Sequence, residues 1–253
     1  VPFLDRFDLT GRTALVTGAR TGIGRAIAIG LAESGAELIL HGHHADLAEV
    51  AAAVRAAGKE PVQVVADLAE PGAASALCDR VMAEHRVDIL VNNAGTIRRA
   101  PAIEYTEDDW RDVLTTNLES TWVLSQRLGG AMVGRGMGKI VNVASVLSFQ
   151  GGIRVVAYAA SKHAVAGITR ALANEWAGRN VQVNAIAPGY IATAGTEALR
   201  DDPEREQAIR SRIPAGRWGV PEDVVGAAVF LASPASDYVN GHLLAVDGGW
   251  LAR

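Results

Sequence analysis

Cysteine is almost absent from this chain: Cys78 stands alone among 253 residues, so no disulfide can form within it. Cys78 lies in an amphipathic run over 73–82 with no Cys/His constellation around it, which fits a packed helix position better than a thiol nucleophile. No metal is expected. Blocks of basic residues are missing too. The 24 Lys and Arg are scattered against 28 Asp and Glu, for a formal net charge of −4, so nucleic acid is not an expected partner. No apolar run reaches the about 20 residues that span a bilayer. Residues 1–9 have no basic segment followed by an apolar one, so they do not read as a signal peptide. Without repeats, low-complexity tracts or a membrane segment, the default reading is a cytoplasmic globular protein.

What the chain does have is apolar content. At 49% hydrophobic over 253 residues it can bury a large core, and this length suits one α/β domain better than two small ones. An apolar run at 13–17 flows into glycines at 18, 22 and 24 and then into an Ala, Ile and Leu-rich helix up to Gly35. Strand, glycine turn and helix begin a dinucleotide fold: Gly18, Gly22 and Gly24 let the backbone turn tightly against a pyrophosphate at the positive end of the helix. Further strands are expected at 37–41, 61–66, 87–91, 139–144 and 181–187, and a last strand with a glycine turn over 242–250, with helices between them, including one at 46–57 and a long one over 107–135. The connection rule turns this alternation into one right-handed, doubly wound parallel sheet with helices on both faces, a single Rossmann-like domain over 1–253. The charged, helical segment 194–218 reads as a lid over the substrate.

The strand at 37–41 ends in Gly42, His43 and His44, where dinucleotide folds selective for NAD carry an acid on the ribose hydroxyls. Its absence leaves room for a 2′-phosphate, so the cofactor is NADP or NAD, with NADP favoured. Arg20 and His43 are the candidates to meet that phosphate. The other reading of Arg20 is a solvated loop residue. Asp67 follows the third strand, and the residues by themselves read it as a helix N-cap for the segment that starts at 69–74.

Ser145 ends the strand at 139–144, and thirteen residues later Tyr158 is followed at one helical turn by Lys162. Residues four apart share a helix face. The ammonium is therefore expected beside the phenol, lowering its pKa from about 10. Alone, a Tyr and Lys at this spacing are an ordinary solvated helix turn; here they stand beside Ser145, Asn117 and the glycine loop.

With Asn92-Asn93-Ala94-Gly95 after the strand at 87–91, these motifs resemble the short-chain dehydrogenase/reductases, and the resemblance covers essentially all 253 residues. It implies a catalytic tetrad of Asn117, Ser145, Tyr158 and Lys162. Tyr158 would be the general acid/base, Ser145 the oxyanion partner, Lys162 the group that tunes Tyr158 and holds the nicotinamide ribose, and Asn117 the holder of a relay water. A simple buried amide is the plainer reading of Asn117. The implied cofactor contacts are Gly18, Arg20, Thr21, Gly22, Ile23 and Gly24 in the loop, His43, then Asp67 and Leu68 at the adenine. Asn93, Ala94 and Gly95 line the site, and Tyr158, Lys162, Pro188, Gly189, Ile191 and Thr193 complete it. The family also implies a homotetramer built on the helices that carry Asn117 and Tyr158.

Segments 92–99, 148–155, 173–177, 213–219, 236–241 and 247–253 resemble the members of that family that oxidise sugar acids of the gluconate, 2-deoxy-gluconate or 2-dehydro-3-deoxy-gluconate type. Such a substrate brings a carboxylate into the cleft, and an arginine is the side chain that grips one bidentately. Arg98, Arg99, Arg154 and Arg217 are the candidates. Arg99 is the first choice and Arg154 the second, with Ser145 and Tyr158 at the reacting oxygen; a surface ion pair is the other reading for each arginine. Two different functions remain open: a 3-oxoacyl carrier-protein reductase, and a nucleotide-sensing protein without catalysis, which would have no need of Tyr158.

Overall fold

The computed structural model describes residues 2–253. Seven strands alternate with helices as the sequence predicts. In chain order they run β1 (Thr13–Val16), α1 (Gly22–Glu33), β2 (Glu37–Gly42), α2 (Ala48–Ala56), β3 (Val62–Val65), α3 (Ala73–Glu84) and β4 (Ile89–Asn92). The second half runs α4 (Glu107–Leu114), α5 (Ser120–Arg135), β5 (Gly138–Val143), α6 (Val156–Trp176) and β6 (Val181–Pro188). It closes with α7 (Glu197–Arg200), α8 (Pro203–Arg210), α9 (Val225–Ala232) and β7 (Leu243–Val246).

All pairings are parallel, in the order β3-β2-β1-β4-β5-β6-β7. The chain winds outward in one direction from β1 and in the other from β4. The crevice above their carboxyl ends is the topological switch point, where ligands of such sheets bind.

The strands are apolar on successive residues because both sheet faces are covered. On one side Val16, Leu40, Val91 and Val141 pack with Ile27, Leu31 and Leu231 of α1 and α9. On the other, Leu15, Ile39, Leu90 and Ile140 pack with Leu77, Val81, Leu124 and Leu128 of α3 and α5. Alternate residues of one strand thus enter opposite cores. Cys78 is fully buried in the second core, and burial pushes its thiol up to about 11, so it is the packed residue the sequence suggests.

The long helix expected over 107–135 is interrupted. Residues Thr115–Glu119 form a π turn between α4 and α5. Two side chains bond back onto carbonyls there, Ser120 Oγ to Thr116 O and Thr121 Oγ1 to Asn117 O, a pattern that bends helices. The segment 194–218 holds α7 and α8, the latter capped by the Asp202 carboxylate on the Glu204 and Arg205 amides. It is anchored by apolar contacts the sequence reading did not credit to it: Ile209 and Ile213 are buried with Val146 and Trp250.

Candidate active site

The glycine loop is shaped by its neighbours. Thr17 at the end of β1 accepts the Asn93 and Ala94 amides on its hydroxyl, each at 3.0 Å. Asn93 Nδ2 in turn donates to the carbonyls of Thr17 (2.9 Å) and Gly18 (3.1 Å). Gly18 turns at φ +63, a conformation open to glycine, and a Cβ there would come within 2.9 Å of Asn93 Nδ2. Asn92 points the other way, bonding Ser125 Oγ and Asn142 Oδ1, and so stitches β4 to β5 beneath the site.

Helix α1 then starts at Gly22 with no side chain capping it and no acid in its first turn. Its free amides and positive dipole end face the switch-point crevice, a setting that fits a pyrophosphate. Thr193, beyond β6, leans on the same turn: a Cβ on Gly22 would lie 3.3 Å from Thr193 Cγ2. Pro188 ends β6, Gly189 lies so close to Asp247 that a Cβ would meet its Cα at 2.7 Å, and Ile191 is buried. Thus Gly18 to Gly24, Asn93 to Gly95 and Pro188 to Thr193 converge on one rim.

At the far end of that rim the turn after Gly42 folds over it, so that a Cβ on Gly42 would meet Leu47 Cδ2 at 3.0 Å. No acid stands there. The exposed rings of His43 and His44 lie with centroids 3.5 Å apart, tilted by 41° to each other, and Arg20 is half-buried in the loop. Asp67 Oδ1 accepts the Ala69 amide at 3.0 Å. This caps a local turn and not α3, which begins only at Ala73, so the expectation of a helix N-cap at Asp67 is corrected. Leu68 is buried beside it.

Two residues in this region escaped the sequence reading or were given no separate role by it. Thr17 appeared only as the last residue of the apolar run 13–17. His41 did not figure at all, although a lone basic residue closing the buried run Leu38–Leu40 is a visible signal.

Ser145, Tyr158 and Lys162 lie toward the other half of the sheet, just beyond β5 and on α6. Ser145 is buried at the end of β5, with its Oγ accepting the Leu147 amide at 3.1 Å. Tyr158 lies in the first turn of α6, half-buried, and Lys162 follows one turn on, with its Nζ 5.5 Å from the tyrosine ring centroid. The lysine does not reach the phenol oxygen. It donates to the Val143 carbonyl at 2.6 Å, and burial pushes its pKa down to about 8. The expected lowering of the tyrosine pKa by Lys162 is therefore corrected. Withdrawal from water holds the Tyr158 phenol above its ordinary value, opposed by the polar Ser145 hydroxyl and by the charge of Arg99.

Asn117 is buried in the π turn, and both ends of its amide are engaged. Oδ1 accepts the Thr96 amide at 2.7 Å, while Nδ2 donates to the Thr96 carbonyl at 2.9 Å and to Ser161 Oγ at 3.2 Å. The side chain locks the loop after β4 onto α6, which is the plainer of its two readings.

The four arginines separate into two kinds. Arg98 bonds Asp112 at 2.8 Å and Arg217 clamps Asp223 through two nitrogens, so both are structural ion pairs. Arg99 meets only a neutral acceptor, the Gly195 carbonyl at 2.8 Å. Arg154 has no partner for its guanidinium among the described residues, and its backbone holds φ +64, unusual for a residue with a Cβ. The Ala100 amide bonds the Arg154 carbonyl at 3.1 Å, which places the two unpaired arginines on segments tied to each other.

The comparisons agree with this geometry. The family model described as "Enoyl-(Acyl carrier protein) reductase" matches residues 18–251. The 2-dehydro-3-deoxy-D-gluconate 5-dehydrogenase of Bacillus subtilis (strain 168) is 54% identical over 249 residues, 98% of each chain. A structure from Beutenbergia cavernae, provisionally assigned as an NAD(P) dependent gluconate 5-dehydrogenase with bound NADP at low occupancy, superimposes with TM-score 0.96 at 58% identity, covering 98% of this chain and 100% of that one. The gluconate 5-dehydrogenase of Burkholderia cenocepacia J2315, in complex with NADP and tartrate, gives TM-score 0.94 at 42% identity over 99% of each chain.

Proposed function

Because this chain belongs to the short-chain dehydrogenase/reductase family, we propose that it is an NAD(P)-dependent oxidoreductase for the secondary alcohol or ketone of a gluconate-type sugar acid. The whole-length relatives named for 2-dehydro-3-deoxy-D-gluconate and gluconate support the substrate class. NADP is the favoured cofactor. That preference rests on the missing acid at Gly42, on Arg20 in the glycine loop and His43 next along the chain as cations for a 2′-phosphate, and on the NADP held by neighbouring structures. The uncapped first turn of α1 fits the pyrophosphate, and Asp67 and Leu68 border the adenine end.

When bound, the nicotinamide gives or accepts the hydride. The protein positions the substrate and moves the proton. Tyr158 is the acid/base at the reacting oxygen, and Ser145 donates to that oxygen as charge develops on it. Lys162, one turn along α6 with its ammonium 5.5 Å from the centre of the tyrosine ring, is the residue that holds the nicotinamide ribose. Asn117 is a positioning residue that fixes the loop from Thr96 to Arg99. Residues 194–218 act as the lid, and the Arg99 bond to Gly195 is the tie between that lid and the substrate side. Trp110, Trp122 and Val156, apolar yet exposed on α4, α5 and α6, are the surface through which the chain assembles as a homotetramer. No described helix is long and apolar enough to cross a membrane, and we place the protein in the cytoplasm.

The observation that carries the sugar-acid reading is Arg99: a guanidinium close enough to Tyr158 to favour its phenolate, with no carboxylate among the described residues on it. Lysine keeps the charge but loses the fork. Arg99→Lys is expected to raise KM for the acid about tenfold or more, the worth of a charge-assisted bond, while an uncharged ketone is reduced almost as before. Unchanged kinetics with the acid in both Arg99→Lys and Arg154→Lys sink the assignment.

A further inference from the structure

We infer that His41 is a positioning residue for the cofactor, a ring that locks the glycine loop and the adenine-side strand end into one frame. His41 is 1% exposed, on β2 between β1 and β3. Its Nδ1 accepts the Gly18 amide at 3.3 Å, and its Nε2 faces the Ala66 carbonyl at 2.9 Å. Its own carbonyl takes the Ala19 amide at 2.8 Å. One residue therefore holds two successive amides of the loop that turns toward the pyrophosphate, and the carbonyl immediately before Asp67.

The partners fix the ring's protonation. An amide can only donate and a carbonyl can only accept, so the imidazole is neutral with its hydrogen on Nε2. The charged and titratable groups around it are Arg80 from α3, His43 beyond β2 and Asp67 beyond β3; burial dominates them and pushes the ring down to about 4. The ring thus keeps its acceptor for Gly18 throughout the neutral range. The sequence has no motif for this role because it depends on two partners in other segments, 23 and 25 residues away.

The inference rests on the reading that the glycine loop holds NADP. The test compares wild type, His41→Phe and His41→Gln by NADP calorimetry at pH 7 and by steady-state kinetics. Phenylalanine fills the space but leaves the Gly18 amide and the Ala66 carbonyl unpaired. The expected result is a cofactor Kd and KM weakened about tenfold, because a loop freed from the ring is in its binding-competent form in only about a tenth of the molecules, with kcat at saturating cofactor within about twofold of wild type. Glutamine offers both an acceptor and a donor, and is expected to restore most of the affinity. A purely structural role would lower the melting temperature of His41→Phe while leaving the Kd of the folded protein alone, and that result overturns the inference. Wild type that binds neither NADP nor NAD overturns the cofactor reading itself. Should His41→Phe not fold, 15N NMR of the wild-type ring decides. A neutral Nε2–H imidazole whose shifts move on adding NADP supports the inference. A protonated or Nδ1–H ring, or one indifferent to NADP, overturns it.

Discussion

Replacing Lys162 by methionine removes an ammonium that is 5% exposed and bonded to the Val143 carbonyl. Burial takes its pKa from 10.5 to about 8. At about 1.4 kcal/mol per unit, holding this charge near neutrality costs the cofactor-free fold roughly 3 kcal/mol. Between pH 8 and 10.5 the unfolded chain keeps the proton that the folded protein has released, so stability rises with pH through that window and stays at its lower level below it. Methionine has no proton to lose. It also forfeits the bond to Val143, worth about 1 kcal/mol.

Lys162→Met is therefore expected to be about 2 kcal/mol more stable than wild type at pH 7, and nearly inactive. The advantage should disappear by pH 10.5. Urea denaturation of both proteins without cofactor, at several pH values, reads the difference directly, because groups common to both cancel. A difference that is flat with pH, or a variant less stable at pH 7, refutes the reasoning. The confirmed pattern would be that of a site where function is held at the expense of stability.

Other outcomes follow from the same geometry. Tyr158→Phe should keep the fold and NADP binding and lose about a hundredfold or more in turnover; near-normal turnover would end its role as acid/base. Arg20→Ala should weaken NADP while leaving NAD almost unchanged in calorimetry, and tighter binding of NAD by wild type would show that Gly42 was misread. Arg154→Gly relieves a left-handed backbone and should be more stable to urea by about 1 kcal/mol, while KM for the sugar acid rises. A variant with neither change would mean that Arg154 is an ordinary loop residue.

Much of the fold was legible because it depends on local pattern. The apolar runs, the glycines at 18, 22 and 24 and the Tyr158 and Lys162 spacing each specify their own surroundings, and the strands fall within a residue or two of where they are expected. What was not legible depends on partners distant in sequence. Nothing near Arg98 marks it as paired with Asp112 or Arg99 as free of any carboxylate. The π turn arises from side chains bonding back to carbonyls and from the grip of Asn117 on Thr96, neither of which periodicity reports. The helical spacing correctly put Lys162 on the face of Tyr158, yet it could not foresee that Val143 would take the ammonium and that burial would outweigh charge at the phenol.

The central claim is that the arginine-lined crevice at Tyr158 works on a sugar acid with a nicotinamide cofactor. Steady-state rates followed at the absorbance band of the reduced nicotinamide, with NADP and a panel of six-carbon sugar acids, their uncharged polyol counterparts and a 3-oxoacyl thioester, test it most directly. The account predicts turnover of at least one acid with kcat/KM about tenfold or more above its uncharged counterpart, as a charge-assisted contact at Arg99 requires. Preference for the uncharged polyols, or for the thioester, would contradict it.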